Sequence, residues 1–302
     1  MDDEILVYTI IVTYNGRKWI KKCFESLIES NIKTHILVID NLSTDGTPDF
    51  IGHNFPDIEL IEMSTNLGFG NANNIGIKEA VNNNADYIFL LNQDAWVEKD
   101  TLQKLIEASS KHPNYGIISP IHLSNETVRR IDDLFLKYIL RSNYLSIIEN
   151  ALIGDWKDIY PVNFINAAAW LIPQATIRKV GYFDSLFFMY GEDDNYINRV
   201  KYHNLKVGIV PQANIIHDRV NNENKNVEIK KYINRKKSAL LNIVLNPNKK
   251  FQLVLIMSIF YITKITSINL IKFRILRFYE SLKLYKYLGI KLKQIKESRN
   301  NY

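Results

Sequence analysis

The sequence predicts an α/β fold: a single doubly wound, mostly parallel sheet flanked by helices, followed by a C-terminal helical extension. Three observations carry this. Apolar, β-branched runs alternate with segments of helical period four times within about the first ninety residues. Several of those runs are apolar without interruption, as strands covered on both faces are. Two of them stop abruptly at acids and amides, Asp40-Asn41 and Asn92-Gln93-Asp94. In open α/β sheets, ligands bind beyond the carboxyl ends of the strands, so these tips are where chemistry is expected.

Taken in order, residues 5–13 form the first strand. Tyr14-Asn15-Gly16 turns the chain, and residues 17–30 show helical spacing in Trp19, Ile20, Cys23 and Leu27. Residues 35–39 are the second strand. Ser43-Thr44-Asp45-Gly46-Thr47 is rich in cap and turn residues and opens a short helix. A third strand falls near 58–63. The Asn- and Gly-rich stretch 66–76 then leads into a helix ending by Asn82, and residues 87–91 form the fourth strand. Beyond it, 98–111 is a helix and 115–119 a strand. Residues 121–160 read as irregular, an insertion or acceptor-side lobe. A strand at 164–172, a short helix at 173–180, a helix at 192–203 and strands at 206–210 and 214–217 complete the unit.

At 302 residues and 46% hydrophobic content, the chain can bury one large core, or one core with an appendage, and is not disordered. The single cysteine, Cys23, excludes an internal disulfide framework and suits a reducing cytoplasm. Met1-Asp2-Asp3-Glu4 is acidic where a signal peptide would be basic, so none is expected. The net charge of +6 is uneven: residues 221–302 hold 18 Lys/Arg against four Asp/Glu, while residues 1–220 are net acidic. This divides the chain into a globular unit, 1–220, and a basic, apolar helical extension, 221–302.

Within the extension, 225–245 reads as a helix bearing Lys230, Lys231, Arg235, Lys236 and Lys237. Residues 251–263 are apolar until Lys264, short of the roughly 20 residues of a membrane span. Residues 270–287 mix Ile, Leu, Phe and Tyr with Lys and Arg at helical spacing, the pattern of a helix lying on an anionic membrane. Packing on the globular unit or on a second copy is the other reading. The aromatics alternate with long aliphatics, which argues against nucleic acid.

Four groups of residues at strand ends could carry chemistry. Asp40 either accepts hydrogen bonds from a nucleobase or ribose, or caps its own turn. The 66–76 segment lets backbone approach a ligand closely, or is an Asn-rich turn into a helix; it is neither a dinucleotide fingerprint nor a P-loop. Asp94 offers an oxygen and His217 a nitrogen to Mg²⁺ or Mn²⁺ shared with a diphosphate, or they are ordinary strand-end residues. Glu192-Asp193-Asp194 follows an aromatic run. It supplies a general base, its pKa raised by crowding, or simply caps a helix.

Together these segments resemble family 2 glycosyltransferases of the GT-A fold, in the bacterial rhamnosyltransferase-like branch. The resemblance rests on 11–15, Ile39-Asp40-Asn41 to Gly46, Asn66 to Gly76, Leu91 to Asp94, Gly181 to Asp193, and Ile216-His217, and covers 5–217. It implies an inverting transfer of a sugar from a nucleotide-diphosphate donor to an acceptor hydroxyl, in surface polysaccharide or glycan assembly. By the same resemblance, Thr13, Tyr14, Asn15 and Asp40 contact the nucleoside, and Asn66, Gly68 and Asn74 line its site. Asp94 stands at the metal-binding D-x-D position, where Gln93 departs from an acidic pair. His217 is a further metal or diphosphate ligand, Asp193 the catalytic base and Glu192 its neighbour in the acceptor site. Asn195 replaces a frequent acid, and Arg199 matches a frequent Arg. dTDP-rhamnose is the donor the branch suggests, with UDP-sugars open. The acceptor is expected to be lipid-linked or a glycan, met at the inner face of the plasma membrane through the C-terminal helices, with a homo-oligomer open. A non-catalytic sugar-nucleotide-binding scaffold on the same fold is the alternative.

Overall fold

The computed structural model describes residues 5–124, 127–142, 144–219 and 228–302. The acidic opening residues 1–4, the boundary expected at 220/221, the start of the helix expected from 225 and the Lys230 side chain lie outside what is described.

The described strands form one sheet. They are β1 (Val7–Thr13), β2 (His35–Asp40), β3 (Glu59–Glu62), β4 (Tyr87–Leu91), β5 (Ala95–Val97), β6 (Tyr115–Leu123), β7 (Tyr160–Pro161), β8 (Ala169–Pro173) and β9 (Lys206–His217). Their order is β3-β2-β1-β4-β8-β6-β9-β5, with β7 on β9. β1, β2, β3, β4, β6 and β9 run one way; β5, β7 and β8 run against them. The continuous apolar runs are central, as expected: Ile10, Ile11, Leu37, Val38, Ile88 and Phe89 are fully buried. Successive residues feed opposite faces, Ile10, Leu37 and Ile88 one core and Ile11, Val38 and Phe89 the other.

Helices α1 (Arg17–Ile28), α2 (Thr47–Asn54), α3 (Phe69–Asn82) and α4 (Thr101–Lys111) cover the sheet's first half. Three expectations change. The irregular 121–160 region contains α5 (Asp133–Leu140) and α6 (Leu145–Ile153). Both are short and apolar on most sides, so no period shows; α5 is fixed by Asp132, whose carboxylate accepts from Phe135 N at 2.7 Å. The two strands expected at 206–217 are one. Its register on β6 slips between Pro120 and Ile121, where Pro120 and Pro211 cannot donate to the ladder. The 66–76 stretch is a loop only to Gly68, because α3 begins at Phe69.

α7 (Gln174–Val180) and α8 (Glu192–Tyr202) lead to the extension, α9 (Glu228–Val244), α10 (Phe251–Ile271) and α11 (Ile275–Asn300). Phe187 packs into the same cluster as Leu240, Leu241, Val254 and Leu284, so the extension shares a core with the globular unit. Arg299 donates to Val244 O, Asn246 O and Lys249 O at 2.6–3.0 Å, tying the end of α11 to the α9–α10 turn. No single helix spans 270–287: the chain breaks between Ile271 and Ile275, with Phe273 at φ +50°.

α10 is apolar nearly all round: Val254, Ile262 and Ile265 are buried, with polar residues among them. Its buried side includes Ser258, Thr266 and Asn269, and Asn269 Nδ2 donates to Ser281 Oγ and Tyr232 OH. Its exposed side presents Leu253, Ile256, Ile259 and Phe260, and Leu270, Ile271, Phe273, Ile275 and Leu276 are exposed about the turn into α11. Residues 229–279 contain no Asp or Glu. By length and composition α10 alone, among the described residues, is long and apolar enough to cross a membrane.

Candidate active site

The tips of β1, β2 and β4 lie side by side because these strands pair in parallel. Asp40 closes β2, 2% exposed. Its carboxylate accepts from Thr13 Oγ1 at 2.7 Å, Ser43 N at 2.8 Å and Ser43 Oγ at 2.6 Å. Thr13 and Asp40 thus build the wall and do not line the hollow. Asn15 is likewise occupied, its side chain accepting from Thr44 N at 2.8 Å and its own N–H bonded to Ser43 Oγ at 2.9 Å.

Gln93 has a local reason to be an amide. Its Oε1 accepts from Tyr14 N at 2.9 Å and its Nε2 donates to Tyr14 O at 3.1 Å, clamping the β4 tip to the β1 tip. A carboxylate could accept but not donate. Asn66 and Gly68 are braced by Asn41: Asn41 Nδ2 reaches Asn66 Oδ1 at 3.1 Å, and Leu67 N reaches Asn41 Oδ1 at 2.7 Å. Gly68, at φ +78°, passes so close to the next loop that a Cβ would meet Phe188 O at 1.7 Å. Asn74 does not border the hollow over the strand tips: from within α3, its amide pairs with both Phe183 O and Phe183 N, at 2.9 and 2.8 Å. A residue expected on a loop is on a helix, bonded to the connection between residues 180 and 192.

A hollow of about 1050 Å³ lies over these tips and is bordered by Tyr14, Asn66, Asn92, Gln93, Asp94 and His217. His217 ends β9 opposite Ala95, which brings its Nε2 to 3.2 Å from Asp94 Oδ1. Its Nδ1 is buried with no partner among the described residues. Adjacent donor atoms in an octahedral shell with arms of about 2.1 Å lie about 3 Å apart, so this pair suits one small hard cation. Among the described residues, no group of three His, Cys, Asp or Glu could hold a metal alone. The remaining oxygens would have to come from water and phosphates, the usual case for Mg²⁺.

The same hollow has cationic walls that the sequence reading passed over: Arg130, Lys137, Arg219 and Arg235. Arg219 Nη2 is buried and unpartnered among the described residues, while its Nε lies 3.0 Å from Asp132 Oδ2. The signal was present as an Arg two residues past His217.

Glu192, Asp193 and Asp194 open α8 and border a smaller hollow of about 380 Å³, with Tyr138 and Arg141 opposite. Burial pushes the Asp193 carboxyl up to about 8, with Asp194 and then Glu192 adding to it. Glu192 is pushed up to about 7 by burial, and Asp194 is raised for the same reason. Crowding was the expected cause; burial is the larger one. Asp94 and Asp193 were expected to face each other across one cleft. They instead border adjoining hollows that share Tyr190 and are parted by α5, whose Lys137 faces one and Tyr138 the other. The Tyr138 phenol, raised mainly by burial, also feels Arg219, Asp193, Asp194 and Asp132, so charges of both hollows reach it.

Behind the acidic triplet, Arg199 donates to Asn195 Oδ1, Val180 O and Tyr182 O at 3.1, 2.8 and 2.6 Å. Asn195 Nδ2 in turn donates to Tyr302 OH at 3.2 Å. An acid at 195 could not do both, and neither residue lines the two hollows.

A mixed sheet with a large hollow over its parallel strand tips, and with carboxylates at its rim, has the layout of the GT-A glycosyltransferase fold. Residues 8–158 match the family described as Glycosyl transferase family 2, and the chain belongs to it. The Haloferax volcanii low-salt glycan biosynthesis hexosyltransferase Agl10 is 26% identical over 211 residues, covering 69% of this chain and 66% of its own length. The Mycobacterium tuberculosis N-acetylglucosaminyl-diphospho-decaprenol L-rhamnosyltransferase is 23% identical, covering 69% and 74%. Escherichia coli rhamnosyltransferase WbbL is 26% identical, covering 70% and 83%. Among solved structures, the Pyrobaculum calidifontis mannosyltransferase PcManGT, in complex with GDP-Man and Mn²⁺, superposes with a TM-score of 0.58 at 15% identity, covering 94% of this chain and 75% of that one. Staphylococcus aureus TarS 1–349 with UDP-GlcNAc gives 0.56 at 15%, covering 82% and 69%. These two share the fold.

Proposed function

We propose that this chain transfers a sugar from a nucleotide-diphosphate donor to a hydroxyl of a lipid-linked or glycan acceptor, with inversion, in surface glycan assembly. The observation that carries the reading is the pairing of a large hollow, edged by Asp94, His217 and Arg219, with an adjoining one that holds a half-buried, weakly acidic Asp193. Tyr14 and Asn66 border the donor's nucleoside, and Arg219 offers an unpartnered donor to its diphosphate. Asp94 and His217 would hold Mg²⁺ or Mn²⁺, which when bound offsets the charge that develops on the leaving diphosphate.

Asp193 takes the proton from the acceptor hydroxyl as its oxygen attacks the anomeric carbon. One displacement needs one base, unlike the paired carboxylates of glycoside hydrolases. A carboxyl near 8 is a far stronger base than an ordinary aspartate, and its pKa lies close to neutral working conditions. Tyr190 borders both hollows, at the edge where donor and acceptor would meet.

The acceptor reading gives the exposed apolar residues of α10 a purpose. Its exposed apolar side and the acid-free stretch 229–279 suit an anionic membrane leaflet, with the enzyme peripheral at the cytoplasmic face.

Donor binding and turnover in two variants test the reading. Asp94→Ala should abolish the Mn²⁺-dependent gain in donor affinity, seen by titration with and without EDTA. Asp193→Asn should keep donor affinity and lower turnover about 10²–10⁴-fold. Near-normal turnover in Asp193→Asn would refute the base. Donor binding by the unaltered chain, with no turnover on any acceptor, would favour the scaffold instead.

A further inference from the structure

Tyr190 borders a third hollow, of about 510 Å³, between residues 186–190 and helices α9 and α11. Its walls are largely apolar and aromatic, through Phe188, Met189, Leu241 and Tyr287, and its formal charges are Lys231 and Lys237. No carboxylate lines it among the described residues. Phe188 is 55% exposed, a large apolar surface the fold leaves uncovered. Neither lysine has a carboxylate partner among the described residues, and Lys237 sits over the Tyr287 ring at 5.3 Å.

Two ammonium groups with no carboxylate partner among the described residues attract an anion, and the apolar walls favour something joined to that anion that water rejects. A nucleotide offers phosphate on a polar sugar, and its diphosphate is already provided for beside Arg219. An amphiphile with a phosphorylated head answers both halves of this hollow.

We propose that this third hollow is an acceptor subsite for the phosphate-bearing head of an apolar stem. The phosphate oxygens lie on Lys231 and Lys237, and the first carbons of the stem lie against Phe188, Met189 and Tyr287. The proposal rests on the reading that the acceptor hydroxyl meets Asp193, because Tyr190 joins this hollow to the one Asp193 borders. The phosphate head would then sit one hollow away from the reacting hydroxyl, at the far side of Tyr190.

Calorimetric titration of the full-length chain separates the sources of phosphate. The probes are farnesyl diphosphate, farnesol, inorganic diphosphate and UDP. Farnesyl diphosphate should bind more tightly than farnesol or inorganic diphosphate. The double variant Lys231→Ala/Lys237→Ala should weaken it about tenfold or more, with UDP affinity unchanged. Phe188→Asn, at an exposed position, should weaken farnesyl diphosphate and leave inorganic diphosphate alone. Unaltered farnesyl diphosphate affinity in the double variant, or its displacement by UDP, would overturn the proposal. A chain that binds farnesyl diphosphate through these lysines yet turns over no sugar nucleotide would sink the transferase reading and leave the ligand class of this hollow standing.

Discussion

Asp193 opens a helix, where the aligned N–H groups favour an anion, yet its carboxyl is pushed up to about 8. Desolvation outweighs the helix end, and Asp194 adds repulsion. Since the base must be ionised, kcat/KM should climb with pH and level off above about 8. Asp194→Asn removes the larger neighbouring charge and should shift that rise to lower pH, which a pH–rate profile will show. A rise that stays in place would exclude Asp193 as the titrating group. The sign for stability is opposite. The folded chain holds these protons more tightly than the unfolded chain, so stability is highest in the ordinary carboxylate range and is lost as pH rises toward 8. The melting temperature should therefore fall between pH 5 and 8, and fall less in Asp194→Asn. At this scale the sequence named the carboxylates on which the proposed function rests, but not their environments. Nothing in the spacing shows that Gln93 is spent on Tyr14, Asn74 on Phe183, or that Asp40 is shut behind Thr13 and Ser43.

Among the elements, the strands were the most legible, because continuous apolar runs bounded by polar residues have few other fates. Helices α5 and α6 were not legible, being short and apolar almost all round. The direction of β8 was also hidden, since the pattern of a buried strand does not say which way it runs. The extension carried two readings, a helix at 270–287 lying on a membrane or packing on protein, and the exposed residues of α10 and α11 are where the first is tested. Ile271, Phe273 and Leu276 are 73%, 88% and 66% exposed, so replacing all three by Ser should leave thermal stability nearly unchanged. The variant should lose most of its co-sedimentation with anionic vesicles. Wild-type protein remaining in the supernatant would remove the membrane from the picture. Truncation after about residue 245 is a poor substitute, because it also removes Arg299 and the shared core with Phe187.

For the whole molecule, the extension and the catalytic unit are held together behind the acidic triplet. Arg199 joins α8 to the turn at Val180 and Tyr182, with its guanidinium 5.0 Å from the Tyr302 ring centre. Arg199→Lys keeps the charge but loses the fork that meets two carbonyls together. It should cost about 2–3 kcal/mol in urea unfolding and lower turnover more than donor affinity. Such long-range ties were invisible in the sequence: each end is an ordinary polar residue, and only the fold brings 180, 199 and 302 together.

Gly68 runs so near Phe188 that even a methyl group has no room there. Insertions or deletions that shift the backbone of 186–190 should therefore disturb the donor side as well, because the contact is with the Phe188 carbonyl. Re-engineering this enzyme for a new partner sugar is a problem of varying both loops at once.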